Sequence, residues 1–276
     1  MRYANRDRLL LLDPVADCHE VYRTLSTEEF PWDITRALEL ALYRTYAIPS
    51  IAALLDETGE FRLRTQKRYD DTVLLLSEVA EQGPDSPTGR AAVRRINQIH
   101  ARFAISNDDM LYTLGTFVFV PLRWLDRWGW RPLTRVERQG SFHYYRRLGA
   151  LMNIRDIPTE LEDFERWFDA YEDAHLAYGA PQERTAVATR ELVVGWFPGP
   201  VAPLVRLGVH GMLEPSLREA FAFPAPPRWL PPVLDRALRA RAAAERRMRP
   251  RTQPVRASDS PYVKTAPQPM DQLGPS

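Results

Sequence analysis

An all-α fold is predicted by three features of this 276-residue sequence. No stretch sustains period-two alternation, and no Asn-Gly or Asp-Gly pair marks a tight hairpin. Thr134-x-x-Glu137 and Thr159-x-x-Glu162 both have capping-box spacing, each ahead of an apolar-periodic stretch. Leu161, Phe164, Phe168, Tyr171, His175 and Tyr178 recur at spacings of three and four, which is one face of a long helix.

The elements follow in chain order. Apolar periodicity predicts helices over 32–46, 64–81, 87–103 and 108–128, then after the two capping boxes, then over 186–196, 204–213 and 231–248. Breaks between them are supplied by Gln82-Gly83-Pro84-Asp85-Ser86-Pro87, Trp128-Gly129-Trp130, Pro158 and Phe197-Pro198-Gly199-Pro200. The end of the chain changes character. Pro224-Ala225-Pro226-Pro227 and Pro231-Pro232 bracket a turn, an arginine-rich helix follows over 236–249, and from Pro250 the chain is rich in Pro, Ser, Thr and Gln. Residues 1–248 are therefore read as one all-helical domain and 249–276 as an extended Pro-rich tail. The arginine run reads as a solvated helix face rather than a site for an anionic partner.

Lys and Arg number 37 against 36 Asp and Glu, a net charge of +1. Such balance exerts no long-range pull on phosphate, so nucleic acid is not an expected partner. Hydrophobic residues at 45% and charged residues at 26% are ordinary for a globular chain, and the length allows a sizeable core. The single cysteine, Cys18, excludes an internal disulfide and is compatible with a reducing compartment. The longest apolar runs, 110–122 and 192–205, fall short of the ~20 residues that span a bilayer. A soluble, cytoplasmic protein is expected, with peripheral membrane contact and oligomeric state left open.

Several chemistries are set aside. Gly-x-Gly-x-x-Gly, Gly-x-x-x-x-Gly-Lys, Gly-x-Ser-x-Gly and His-Glu-x-x-His are all missing. No Cys-x-x-Cys-His is present, so any haem is held without thioether links. Glu160, Glu162, Asp163 and Glu165 open a helix, where acidic groups complement the dipole. Of the five histidines, His100 shares its face with Val93, Ile96 and Phe103, so its imidazole points into the core. It is either a core histidine bonded to a carbonyl or a metal ligand. His175 lies on an apolar face too, with Tyr171 one turn before it. His143 reads as polar-side, His19 as a loop residue, and His210 has no clear placement. Arg68 and Thr72, one helical turn apart, share the stripe that continues through Leu75 and Val79. Arg68 either snorkels to water or aims a cation, with the Thr72 hydroxyl, into an enclosed apolar pocket.

Three segments in order, Lys67-Arg68-Tyr69-Asp70-Asp71-Thr72, Arg94-Arg95-Ile96-Asn97-Gln98-Ile99-His100 and Ile105-Ser106-Asn107-Asp108-Asp109-Met110, resemble the fungal MpaB type of the MpaB and rubber-oxygenase (latex clearing protein) family. Gly129-Trp130-Arg131, the 149–154 stretch and Pro158 follow in the family's order, and the similarity spans about residues 32–196. The resemblance implies a globin-like helical bundle enclosing a pocket for non-covalent haem b. It implies that His100 is the iron ligand and that Arg68 and Thr72 line the opposite, oxygen-binding side. It implies a haem-dependent oxygenase that cleaves or oxidises carbon–carbon double bonds of an isoprenoid or other apolar unsaturated substrate with dioxygen. A haem protein that senses or carries oxygen, and a cofactor-free helical module for apolar ligands, are the competing readings. With the resemblance, the ligand reading of His100 is preferred, and His175 becomes the alternative ligand or a residue that supports the ligand. Asp71 stands where the rubber-oxygenase branch has a lysine. The base that branch draws from an upstream glutamate has only Glu57 and Glu60 as candidates. The fungal members' association with endoplasmic reticulum is not carried over, because no spanning segment is seen.

Overall fold

The computed structural model describes residues 2–265 and 269–274, and among these every regular element is a helix. Helices α1 (Ala4–Leu9) and α2 (Cys18–Thr24) lead through a π-turn at Leu25–Glu29 into α3 (Pro31–Tyr46). Then come α4 (Pro49–Glu57), α5 (Glu60–Leu63), α6 (Thr65–Gln82), α7 (Pro87–His100), α8 (Asn107–Trp128) and α9 (Arg135–Leu151). The chain continues through α10 (Leu161–His175), α11 (Ala180–Gly195), α12 (Ala202–Met212), α13 (Pro215–Ala220) and α14 (Leu230–Arg246). Helix α8 is the hub, packing on α3, α9, α10 and α14, while α2 pairs with α9, α4 with α11 and α6 with α7.

Local chemistry sets the helix ends. Proline opens α3, α4 and α7, where its missing N–H costs nothing. The Ser86 hydroxyl accepts from the Gly89 N–H at 2.9 Å and the Ser106 hydroxyl from the Asp109 N–H at 3.0 Å, capping α7 and α8. The Thr134 box closes in both directions, at 3.2 and 2.8 Å. The second expected box does not form. Glu160, not Thr159, is the N-cap of α10, which moves Glu162 out of the position that closes a box. Two predicted ends are also corrected. Helix α7 stops at His100 rather than residue 103, because Ser106 must enter α8 with an extended backbone (ψ 151°). Helix α10 stops at His175, short of Tyr178.

Packing is close where α9 meets α8. A Cβ built on Gly149 would lie 2.6 Å from Leu114 Cδ2 and 2.8 Å from Ile157 Cδ1, so only glycine permits this approach. Pro121 inside α8 has no N–H to give its upstream turn, the turn that carries Phe117. Two buried arginines are paired with carboxylates. The Arg131 guanidinium, 4% exposed, bridges Glu29 at 2.7 Å and Glu137 at 2.6 Å. Arg44 ties α3 to Glu172 of α10 and to Glu214 before α13.

Beyond α14 the chain has two 3₁₀ turns, at Ala257–Asp259 and Met270–Gln272, and runs back across the outer side of α6 and α7. Asp70 Oδ2 accepts from Lys264 N at 3.0 Å, Thr265 N at 2.8 Å and Thr265 Oγ1 at 2.7 Å. Gly274 N donates to Asp71 at 2.9 Å, and Leu273 is buried.

Candidate active site

Helices α3 to α9 enclose an apolar cavity of about 250 Å³, measured as space for the centres of water-sized molecules. Its walls include Leu54 of α4, Leu75 and Leu76 of α6, and Met110, Leu114 and Phe117 of α8. Its polar side chains include Arg68, Thr72, His100, Tyr46, Glu60 and Asp109. Three residues singled out in the sequence, Arg68, Thr72 and His100, thus line one space.

His100 sits in the last turn of α7, and its Nδ1 is buried with no hydrogen-bond partner. Burial, helped by the nearby Arg68 charge, pushes its pKa down to about 4, against the pull of the helix C-terminus. The ring is therefore neutral at physiological pH, the state in which an imidazole ligates metal. A buried polar nitrogen left unmatched costs about 1–3 kcal/mol, which a ligand in the cavity can offset.

Arg68 is partly buried, and its side chain lines the cavity. Burial lowers its pKa, while the neighbouring Tyr46, Asp71 and Glu60 act the other way. Among the described residues no carboxylate pairs with it at ion-pair distance. Its Nη1 donates to Thr72 Oγ1 at 2.6 Å, and that hydroxyl donates to the Arg68 carbonyl at 2.8 Å. The Thr72 proton is thereby committed to backbone, and its oxygen holds the guanidinium in place.

The remaining candidates separate clearly. Glu60 is buried, lines the cavity and is paired with Arg64, whereas Glu57 is exposed. Asp71 turns away from the cavity toward Lys67 and Gly274. His175 is not on a buried face: it is exposed, stacked on Tyr171 at 4.1 Å and bonded through Nδ1 to the Tyr171 carbonyl. His19 bonds the Ala80 carbonyl at 2.9 Å and His210 pairs with Arg190 at 3.1 Å, both outside the cavity. Sequence reasoning missed Tyr46, close enough to Arg68 for their charges to interact, and Asp109, which accepts from Ser50 at 2.8 Å and Tyr171 at 3.0 Å. Only the helix register separates Asp109 from Asp108, so no sequence signal marks it.

The donor set suits one kind of group. A metal held by protein alone takes three or four side-chain ligands, and among the described residues no cluster of three or more His, Cys, Asp or Glu is so disposed. A single neutral imidazole with an unmatched nitrogen, on the wall of an apolar cavity, suits a porphyrin that carries its own equatorial nitrogens.

Residues 34–247 match the family model described as ER-bound oxygenase mpaB/B'/Rubber oxygenase, catalytic domain. The chain is 28% identical over 225 residues to "ER-bound oxygenase mpaB" of Penicillium roqueforti (strain FM164), covering 75% of this chain and 76% of that protein. It is 27% identical over 228 residues to "ER-bound oxygenase mpaB'" of Penicillium brevicompactum, covering 76% and 54%. It is 29% identical over 174 residues to "ER-bound oxygenase mpaB" of the same species, covering 56% and 44%. The chain thus matches only about half the length of the latter two relatives. These names overturn the cytoplasmic placement expected from the sequence, since all three relatives are designated ER-bound. Among the described residues no helix is long and apolar enough to cross a membrane.

Proposed function

The chain belongs to the mpaB/mpaB' and rubber-oxygenase catalytic-domain family, and on that premise we propose that it is a haem b oxygenase acting on a carbon–carbon double bond of an isoprenoid or other apolar unsaturated substrate. The observation that carries this reading is the unpartnered Nδ1 of His100 in the same apolar cavity as the Arg68 guanidinium. Haem, when bound, would supply the iron chemistry by which dioxygen attacks the alkene. His100, kept neutral by burial, would hold the iron through its imidazole. Arg68, with no carboxylate at ion-pair distance among the described residues, offers its remaining N–H donors to negative charge developing in the cavity. There such a donor is worth far more than in water. Thr72 fixes the guanidinium, so little reorientation is needed during reaction. Met110, Leu114 and Phe117 exclude water and offer an apolar seat for the alkene. The catalytic unit is read as residues 1–248, with 249–276 as a tail. The relatives' designation as ER-bound supports association with the endoplasmic-reticulum membrane.

The test is the absorption spectrum of purified protein expressed with haem supplied. A Soret band is expected, and His100→Ala is expected to lose most of it. Arg68→Ala is expected to keep haem and lose oxygen-dependent product. Colourless protein, or full haem retention by His100→Ala, overturns the assignment.

A further inference from the structure

A second chamber, of about 100 Å³ by the same measure, adjoins the cavity. The two share the walls Leu42, Thr72, Leu76, Phe117 and Leu148, so they are neighbouring compartments. The second runs away from His100, between α3, α6 and α9, toward the π-turn after α2. Ile34, Leu38, Val73 and the tyrosine rings at 22, 144 and 145 make it apolar along its length.

Its charged lining is of one sign. Glu39 accepts from Tyr69 Oη at 2.9 Å and pairs with Arg36 at 2.8 Å, and Glu81 pairs with Arg256 at 3.0 Å. Among the described residues no Lys, Arg or His lines this chamber. The far end of the chain contributes to its wall. Ala257 lines it, and the segment 255–265 is held across it by three attachments. Val255 N donates to Thr27 O at 2.8 Å, Arg256 grips Glu81, and Asp70 takes the backbone N–H groups of Lys264 and Thr265.

We propose that this chamber houses the apolar chain of the substrate, that it admits an uncharged chain and rejects one ending in a carboxylate, and that the 255–265 strap forms its outer wall. The proposal rests on the oxygenase reading for the site the chain leads to. The chemistry follows from the lining. An uncharged chain gains by leaving water for apolar walls. A carboxylate carried in with it would lose its hydration with no cation on the chamber wall to receive it, since the nearest, Arg36 and Arg256, are already paired with Glu39 and Glu81.

The experiment measures binding of radiolabelled dodecanol and dodecanoate to the haem-loaded protein by equilibrium dialysis at pH 8. Dodecanol is expected to bind at least tenfold more tightly than dodecanoate. Ala257→Trp, which fills the chamber from the strap, and Leu38→Trp, which fills it from α3, are each expected to weaken dodecanol binding at least tenfold with the Soret band unchanged. Equal binding of the two probes on the native chain, or dodecanol binding untouched by both substitutions, overturns the proposal. A missing Soret band instead overturns the haem reading, so the two failures are told apart.

Discussion

Arg131→Met is the sharpest test of how the buried charges hold this fold. The guanidinium donates through Nε and Nη2 to Glu29 Oε2 at 3.1 and 2.7 Å, and through Nη1 and Nη2 to Glu137 at 2.8 and 2.6 Å. Burial disfavours its charge, but the bonds to Glu137 and Glu29 more than compensate and raise its pKa. All three side chains are 4% exposed or less, so methionine would leave two carboxylates facing one another out of water. Removing one partner of such a buried set costs about 3–5 kcal/mol. Unfolding entropy for a chain of this length is roughly 0.6 kcal/mol per kelvin, so the melting temperature should fall by about 5–8 °C. The assay is urea and thermal unfolding followed by circular dichroism on the same preparation. Adding Glu29→Gln to Arg131→Met should recover part of the loss, because one of the two stranded charges is gone. A loss below about 1 kcal/mol, or a second substitution that only makes matters worse, refutes the claim that the triad is a tightly coupled buried set.

Three further predictions follow from single contacts. The His100 pKa is depressed in the fold, so the haem-free protein loses stability as pH falls from about 6.5 toward 4, and the full drop is worth about 3 kcal/mol. Urea midpoints at stepped pH should show that loss relative to His100→Gln, and parallel curves for the two proteins would show that the ring is not desolvated. Gly149→Ala should destabilise by about 1–3 kcal/mol despite its better helix propensity, since the added methyl meets Leu114 and Ile157; an increased urea midpoint would mean the α8–α9 approach is looser than described. Asp70→Asn replaces a carboxylate that holds Lys264 and Thr265, so limited trypsin digestion should cleave after Lys264 faster than in the native protein, and an unchanged rate would detach the strap from this carboxylate.

Much of the architecture was legible because helical signals are local. The cap at Thr134, the proline at 87 and the three-four apolar spacing each act within a turn or two, and helices stand close to where they predict. The same local rule failed at Thr159, where a cap one residue later breaks the box, and at residues 101–103, where the approach to Ser106 ended the helix early. Helix α11 begins six residues before its predicted start because its first two turns bury Gln182 and Thr185 rather than apolar residues. Periodicity put both His100 and His175 on apolar faces, and only one of them is enclosed. A helix face is buried only if another element covers it, and the end of α10 has no such cover for His175.

By itself the sequence determined the helical class, the one-turn pairing of Arg68 with Thr72, and the inward stripe that carries His100. These depend on the backbone period, which no distant residue alters. The tertiary structure alone decided that α6 and α7 face one cavity, that Glu60 and not Glu57 reaches it, and that Asp70 and Asp71 bind the returning tail. Those outcomes depend on residues as much as 203 positions apart in the chain, and nothing local encodes which of them will meet.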